Sequence, residues 1–257
     1  MRWLSVLACG CSMALIAAGR SGTADQKAVQ TETVEFRGSN GAVKGFLAKP
    51  QGSGPFPAII VVHEWWGLAD WIKQNAERLA GQGYIALAVD LYGGKVTNDP
   101  GEAHELMRAL DHGEAVADLK GGIAYLKSRK DVAPDQKIGV IGWCMGGGIA
   151  RELAQASDAI GPTVICYGAV SNEAAQIDKL AGKPVLGIFG AEDRGIPVPR
   201  VEQFASALKT KGSQIELHIY KGAGHGFMRP GGPQYHAEAA ADAWKQIDDF
   251  LADHLKK

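Results

Sequence analysis

Cysteine is scarce in this chain: four in 257 residues, with Cys9 and Cys11 near the N-terminus and only Cys144 and Cys166 beyond it. A small scaffold stapled by disulfides would carry more. An excess of one charge is missing too. Lys and Arg number 27 against 28 Asp and Glu, and the net charge of −1 gives no electrostatic reason to expect nucleic acid. No apolar run is long enough for a confident membrane span. His63, His104, His112, His218 and His236 show no HExxH or similar metal-binding spacing, so no metal is expected. Gly139, Gly142 and Gly146 do not make GxGxxG, and no GK[ST] follows, which removes the dinucleotide and P-loop readings. Repeats and low-complexity stretches are absent.

What is present begins with an address. Arg2 and the mostly apolar stretch from Trp3 to Ala18 have the n-region and h-region of a secretory signal, with cleavage after Gly19 or after Ala24. The expected division is a signal peptide over 1–24 and one domain over 25–257. Export to the periplasm or medium follows, without a stable membrane anchor; an uncleaved anchor is the alternative. The processed chain would keep Cys144 and Cys166 as two free thiols.

A hydrophobic fraction of 46% supplies a sizeable core. Thr31 to Arg37 and Val43 to Ala48 flank Asn40-Gly41, a hairpin turn signal. Ala58 to Val62, Tyr84 to Val89, Ile138 to Ile141, Thr163 to Tyr167, Pro184 to Phe189 and Ile215 to Ile219 read as strands, most of them continuous apolar runs such as strands buried on both faces show. Helical spacing appears between them: around Ile72 to Ala80, in two pieces from Leu106 to Leu126 broken near Gly113, around Val201 to Leu208, and over Ala237 to Leu255, with His236 placed on that last helix's exposed face. Strand and helix alternate throughout. That pattern predicts an α/β fold, a three-layer sandwich with a mostly parallel sheet covered by helices on both faces, in a single domain.

The densest chemistry lies at Lys137 to Arg151, KIGVIGWCMGGGIAR. A buried strand runs into Gly142-Trp143-Cys144-Met145-Gly146 and then into a helix, the pattern of a nucleophile elbow. The turn is sharp enough to exclude side chains at the flanking positions, so the middle residue is forced to the tip. Cys144 occupies that tip. A thiol there is either a nucleophile or a small packed residue. Two further clusters follow strands: Gly190-Ala191-Glu192-Asp193, and Gly222-Ala223-Gly224-His225-Gly226. Active sites of open parallel sheets gather at strand carboxyl ends. The order Cys144, Asp193, His225 is the nucleophile–acid–histidine order of the α/β-hydrolase fold. His225, oriented by Asp193, could take the thiol proton and return it to a leaving oxygen. The Met145 N–H, just after the nucleophile, and the Trp65 N–H, after the first buried strand, are the oxyanion donors this geometry suggests.

With those motifs assembled, the chain resembles the dienelactone hydrolases, carboxymethylenebutenolidase-like members of the α/β-hydrolase superfamily. The likeness runs from about Glu32 to the closing helix, through HEWWG, VDLYGG, GWCMGG, GAED and AGHGFMR. It implies hydrolysis of a small ester or lactone through a Cys144–His225–Asp193 triad and an acyl-thioenzyme, a route for which no metal or organic cofactor is expected. It also implies that Glu64 holds the resting thiol and accepts its proton, and that Arg229 binds a substrate carboxylate. The family's second carboxylate-binding arginine has no counterpart, since Leu79 to Met107 contains none; Lys95, Arg108 or Arg194 are the cations that could replace it. Trp65, Trp66 and Trp71 add bulk near the expected pocket mouth, with Trp66 taken as substrate-binding. The competing functions are a thioesterase or peptidase of the same fold, and a ligand-binding relic without turnover. A monomer acting on a small molecule is the expected form.

Overall fold

The computed structural model describes Met1 and residues 28–256; the leader expected over 1–24 lies, Met1 apart, outside the described residues. Eight strands form one sheet in the order β1-β2-β4-β3-β5-β6-β7-β8. β1 (Val29–Arg37) and β2 (Ala42–Pro50) make the antiparallel hairpin, and β2 pairs antiparallel with β4 (Ile85–Val89). From there the sheet is parallel through β3 (Ala58–Val62), β5 (Ile138–Trp143), β6 (Ile160–Cys166), β7 (Val185–Gly190) and β8 (Ile215–Tyr220).

The central strands are apolar at almost every position because both faces are covered; the exception, Thr163 in β6, turns its hydroxyl to the Gly161 carbonyl at 3.3 Å. In β3, Ala58, Ile60 and Val62 point into one core while Ile59 and Val61 point into the other. The first core is closed by α3 (His112–Ser128), α4 (Met145–Ala156) and α6 (Val198–Thr210), through residues such as Leu119, Ile149 and Phe204. The second is closed by α1 (Asp70–Gly81) and α7 (Ala237–Leu255), through Ile72, Leu79, Ile247 and Leu251. Truncating one such buried Leu or Ile to Ala typically costs ~2–5 kcal/mol. The predicted three-layer sandwich is the observed fold.

Two local details differ from the sequence reading. The break in the Leu106 to Leu126 region falls at Leu110-Asp111, between α2 (Pro100–Ala109) and α3, so Gly113 lies inside the first turn of α3. Each helix carries its own start signal: the Asp99 carboxylate accepts from the Glu102 N–H at 2.8 Å, and that of Asp111 from the Glu114 N–H at 2.9 Å. His236 does not lie on the exposed face of α7. It caps that helix, its Nδ1 accepting from the Ala239 N–H at 3.3 Å. A short helix, α5 (Ala174–Asp178), was not anticipated, since five residues carry too little periodicity to read.

Candidate active site

The carboxyl ends of β3, β5, β6, β7 and β8 lie along one rim, and each contributes. At the end of β5 the chain turns into α4 with Cys144 at φ 54° and ψ −119°, a conformation disfavoured for any side-chain-bearing residue. The turn's tightness explains its glycines. A Cβ on Gly142 would run into the Gly146 carbonyl, and one on Gly146 into the carbonyls of Val62 and His63 on β3 and its following loop. The Cys144 N–H is held by the Cys166 carbonyl at 3.0 Å.

His225 Nε2 lies 3.0 Å from Cys144 Sγ, and His225 Nδ1 lies 2.7 Å from Asp193 Oδ2. Asp193 is 4% exposed, and its other oxygen accepts from the Gly195 and Ile196 N–H groups at 2.8 and 3.0 Å. Desolvation works against its charge, yet the hydrogen bonds from His225 and those two amides hold its pKa below the usual value. A carboxylate can only accept, so Nδ1 carries the imidazole hydrogen and Nε2 is left to accept from the thiol. Desolvation lowers the His225 pKa, but its contacts with Asp193 and Cys144 outweigh that and raise it. The row can therefore move a proton from sulfur to imidazole while the carboxylate steadies the cation.

Glu64, after β3, is 4% exposed. Burial pushes its carboxyl up to about 7, against the opposing pull of Arg229, His225 and Tyr167. The Cys144 sulfur hydrogen-bonds His225; among the described residues none of its hydrogen bonds runs to Glu64, although both line the same cavity. His63 fixes the loop that carries Glu64. It is fully buried, its Nε2 accepts from the Leu91 N–H at 3.2 Å, and Nδ1 lies 2.6 Å from the Glu64 carbonyl. Those partners set the tautomer with the hydrogen on Nδ1, and burial keeps the ring neutral by lowering its pKa.

The two expected oxyanion donors sit in different surroundings. Met145 is the first residue of α4, where an N–H has no intrahelical acceptor. Its side-chain sulfur is met by the Tyr92 hydroxyl at 3.2 Å. Trp65 stands in the turn after Glu64, and its N–H has no backbone acceptor among the described residues.

A cavity of about 350 Å³ opens over Cys144, walled by Glu64, Trp65, Trp66, Met107, His225 and Arg229 among others. Arg229 lays its guanidinium over the Trp66 ring, 4.8 Å from the centroid, and Trp66 meets Trp65 edge-on at 4.9 Å. Among the described residues Arg229 is the only Lys or Arg lining the cavity. Arg108 stays at the surface, 3.7 Å from Glu105, Lys95 does not line the cavity, and Arg194 lines a separate groove. Trp71 does not reach the cavity. It packs edge-on against Trp143 at 5.3 Å in the core beneath α1 and α7.

The sequence reading missed Tyr167. It follows β6, is fully buried, and adopts φ 36°. Its ring meets the His225 imidazole edge-on at 5.4 Å, and its hydroxyl, without a well-formed hydrogen bond, faces the Glu64 carboxyl. The available signal was positional: Tyr167 ends a buried strand, as Cys144 does. Gln234 and Met107, which also line the cavity, carried no signal of that kind.

A parallel-centred sheet between two helical layers, with an elbow after a central strand, defines the α/β-hydrolase class. The chain belongs to the dienelactone hydrolase family, whose model matches residues 43–255. A Saccharolobus solfataricus protein assigned as a carboxymethylenebutenolidase is 35% identical, over 84% of this chain and 96% of the relative. A Methylorubrum extorquens protein with the same assignment is 30% identical, over 96% and 90%. Among solved structures, one assigned as a dienelactone hydrolase from Klebsiella pneumoniae superposes with a TM-score of 0.80 at 26% identity, covering 88% of this chain and 99% of that one. The protein is a hydrolase of the carboxymethylenebutenolidase type.

Proposed function

We propose that the protein hydrolyses carboxylic esters or lactones by acyl transfer through Cys144, with His225 as acid–base and Asp193 as its orienting carboxylate. The observation that carries this reading is the continuous row Cys144 Sγ, His225 Nε2, His225 Nδ1, Asp193 Oδ2, with gaps of 3.0 and 2.7 Å. Sulfur loses its proton to Nε2 and attacks the acyl carbonyl carbon. The carbonyl oxygen becomes an oxyanion facing the Met145 and Trp65 N–H groups; loss of one such donor typically costs ~3 kcal/mol of transition-state stabilisation. The C–O bond to the alcohol breaks, and Nε2 returns the proton to the departing oxygen. Water then attacks the acyl-thioenzyme, giving its proton to Nε2, and the acid leaves as the thiol reforms. Glu64, buried beside the same cavity, is the thiol's second proton partner before substrate enters. Arg229, backed by Trp66, takes a carboxylate on the acyl portion. No cofactor takes part, the working form is a monomer, and the leader directs the protein out of the cytoplasm.

The direct test is Cys144→Ala assayed on a panel of p-nitrophenyl esters and lactones. Turnover should disappear while the melting temperature stays near that of the parent, and Cys144→Ser should retain far less activity than the parent. Parental rates from the alanine variant would sink the assignment.

A further inference from the structure

The Trp65 N–H belongs to the same peptide group as the Glu64 carbonyl. In a trans peptide those two bonds point in opposite directions. Among the described residues only Gly54-Pro55 is cis, so the peptide between Glu64 and Trp65 is trans. Whatever fixes the Glu64 oxygen therefore aims the Trp65 hydrogen. Two groups reach that oxygen: the Gly67 N–H at 3.2 Å, which closes the turn, and His63 Nδ1 at 2.6 Å. A carbonyl that accepts hydrogen bonds also makes the N–H of its own peptide a stronger donor.

His63 is held in its turn. Nε2 accepts from the Leu91 N–H at 3.2 Å, which leaves the ring hydrogen on Nδ1, facing the Glu64 carbonyl. The imidazole rests edge-on against the Tyr92 ring, with centroids 4.9 Å apart. Asp90 shapes the loop that supplies both contacts: its buried carboxylate accepts from the Tyr92 and Gly94 N–H groups at 3.1 and 2.5 Å. Tyr92 reaches the other proposed donor as well, since its hydroxyl donates to Met145 Sδ at 3.2 Å. His63, Asp90, Leu91 and Tyr92 do not line the cavity, so this brace stands behind the site and touches no substrate.

We propose that His63 is a positioning residue of the oxyanion hole, aiming the Trp65 N–H by holding the carbonyl oxygen of the same peptide. This rests on the hydrolase reading above and deepens it. No proton passes through His63 during the reaction. Its Nδ1–H stays on the Glu64 oxygen, and the loop after β4 keeps the ring in that attitude. Acylation and deacylation both form an oxyanion, so a misdirected Trp65 N–H slows kcat whichever step is slower.

The experiment separates the hole from the thiol. For each protein, kcat and KM are measured on p-nitrophenyl butanoate, and alkylation of Cys144 by iodoacetamide is timed by mass spectrometry. Alkylation displaces iodide from a saturated carbon and forms no oxyanion, so it reads thiol activation by His225 alone. Losing an oxyanion donor outright costs about a hundredfold to a thousandfold in kcat, and a misdirected one costs less. His63→Leu should therefore lower kcat about tenfold to a hundredfold, with KM and the alkylation rate near those of the parent. His63→Asn, whose amide nitrogen can stand where Nδ1 does, should recover most of that loss. His63→Ala, with room for water at the Leu91 N–H, carries the same comparison should the leucine variant not fold. An unchanged kcat in the leucine or alanine variant, equal losses of turnover and alkylation, or no recovery with asparagine would each overturn the proposal and leave the hydrolase reading standing. Failure of all three variants to fold would make His63 a residue of the fold and overturn it too. Ester turnover that survives complete alkylation of Cys144 in the parent would overturn the thiol reading, and this proposal with it.

Discussion

A carboxyl buried as deeply as that of Glu64 is costly to ionise, and the cost can be measured. Its pKa stands at about 7 in the folded protein against an ordinary 4.5. A group raised in this way favours the fold while protonated. Its contribution is complete below pH 4.5 and is lost as the pH climbs through 7, amounting to roughly 3 kcal/mol. Glu64→Gln keeps the shape and removes the titration. Thermal unfolding should therefore show little difference between variant and parent at pH 4.5 and a clear advantage for the variant at pH 8; equal melting temperatures at both would contradict the buried, hard-to-ionise carboxyl. Arg229 pulls the Glu64 pKa down against burial, as His225 does, and under the proposed function it also meets an acidic substrate. Its removal typically forfeits ~1.5–3 kcal/mol of contact with a substrate carboxylate, tenfold to a hundredfold in kcat/KM. Arg229→Ala compared with parent on a carboxylated ester and its methyl ester should lose selectively on the first. Equal losses on both would leave Arg229 as a support for the loop around His225.

At the scale of elements, the elbow is where sequence and geometry agree most closely. Sharp turning demanded bare flanking positions, and the backbone carbonyls that abut Gly142 and Gly146 are the reason. Gly146→Ala should cost several kcal/mol or displace α4 from β3, since the obstacles are backbone atoms that have no rotamer to change. Thermal unfolding and ester turnover should both fall; a stable, active Gly146→Ala would mean the turn has more room than its contacts allow. The strands were legible for the same kind of reason, because a run buried on both faces must be apolar at each step. Cys144, Asp193 and His225 could be grouped from chain order and strand ends alone. Tyr167 could not, because a tyrosine closing an apolar strand looks like core until its hydroxyl is found against Glu64. Trp71 misled in the opposite sense: its neighbours Trp65 and Trp66 do line the cavity, but α1 turns Trp71 inward onto Trp143. His236 fell one residue outside the helix whose periodicity was used to place it, and periodicity does not report a cap.

For the molecule as a whole, sequence patterning conveys layers better than order. Alternating strands and helices announced a covered sheet, while the sequence 1-2-4-3-5-6-7-8 across it depends on long-range pairing that no local pattern records. The leader and the thiols offer a test at this scale. The sequence has four cysteines; Cys144 and Cys166 are free thiols, and they are the two that cleavage at either proposed site would leave. Burial, with the nearby Glu64 charge adding to it, pushes the Cys166 thiol well above its ordinary pKa, so it stays protonated and unreactive until the protein unfolds. Protein recovered from the periplasm of a bacterial host should begin after Gly19 or Ala24 and titrate two thiols once denatured without reductant. An intact N-terminus, or no free thiol in active enzyme, would contradict the export reading or the thiol mechanism respectively. The loops after five strands carry Glu64, Cys144, Tyr167, Asp193 and His225 along one edge, and their exposed parts shape the cavity, while Ile196 anchors one of them in the first core and Ala223, Phe227 and Met228 anchor another in the second. A lineage carrying this chain can rewrite the exposed stretches of those loops, and so change its diet, while the anchoring residues and the layers beneath them pass on unaltered.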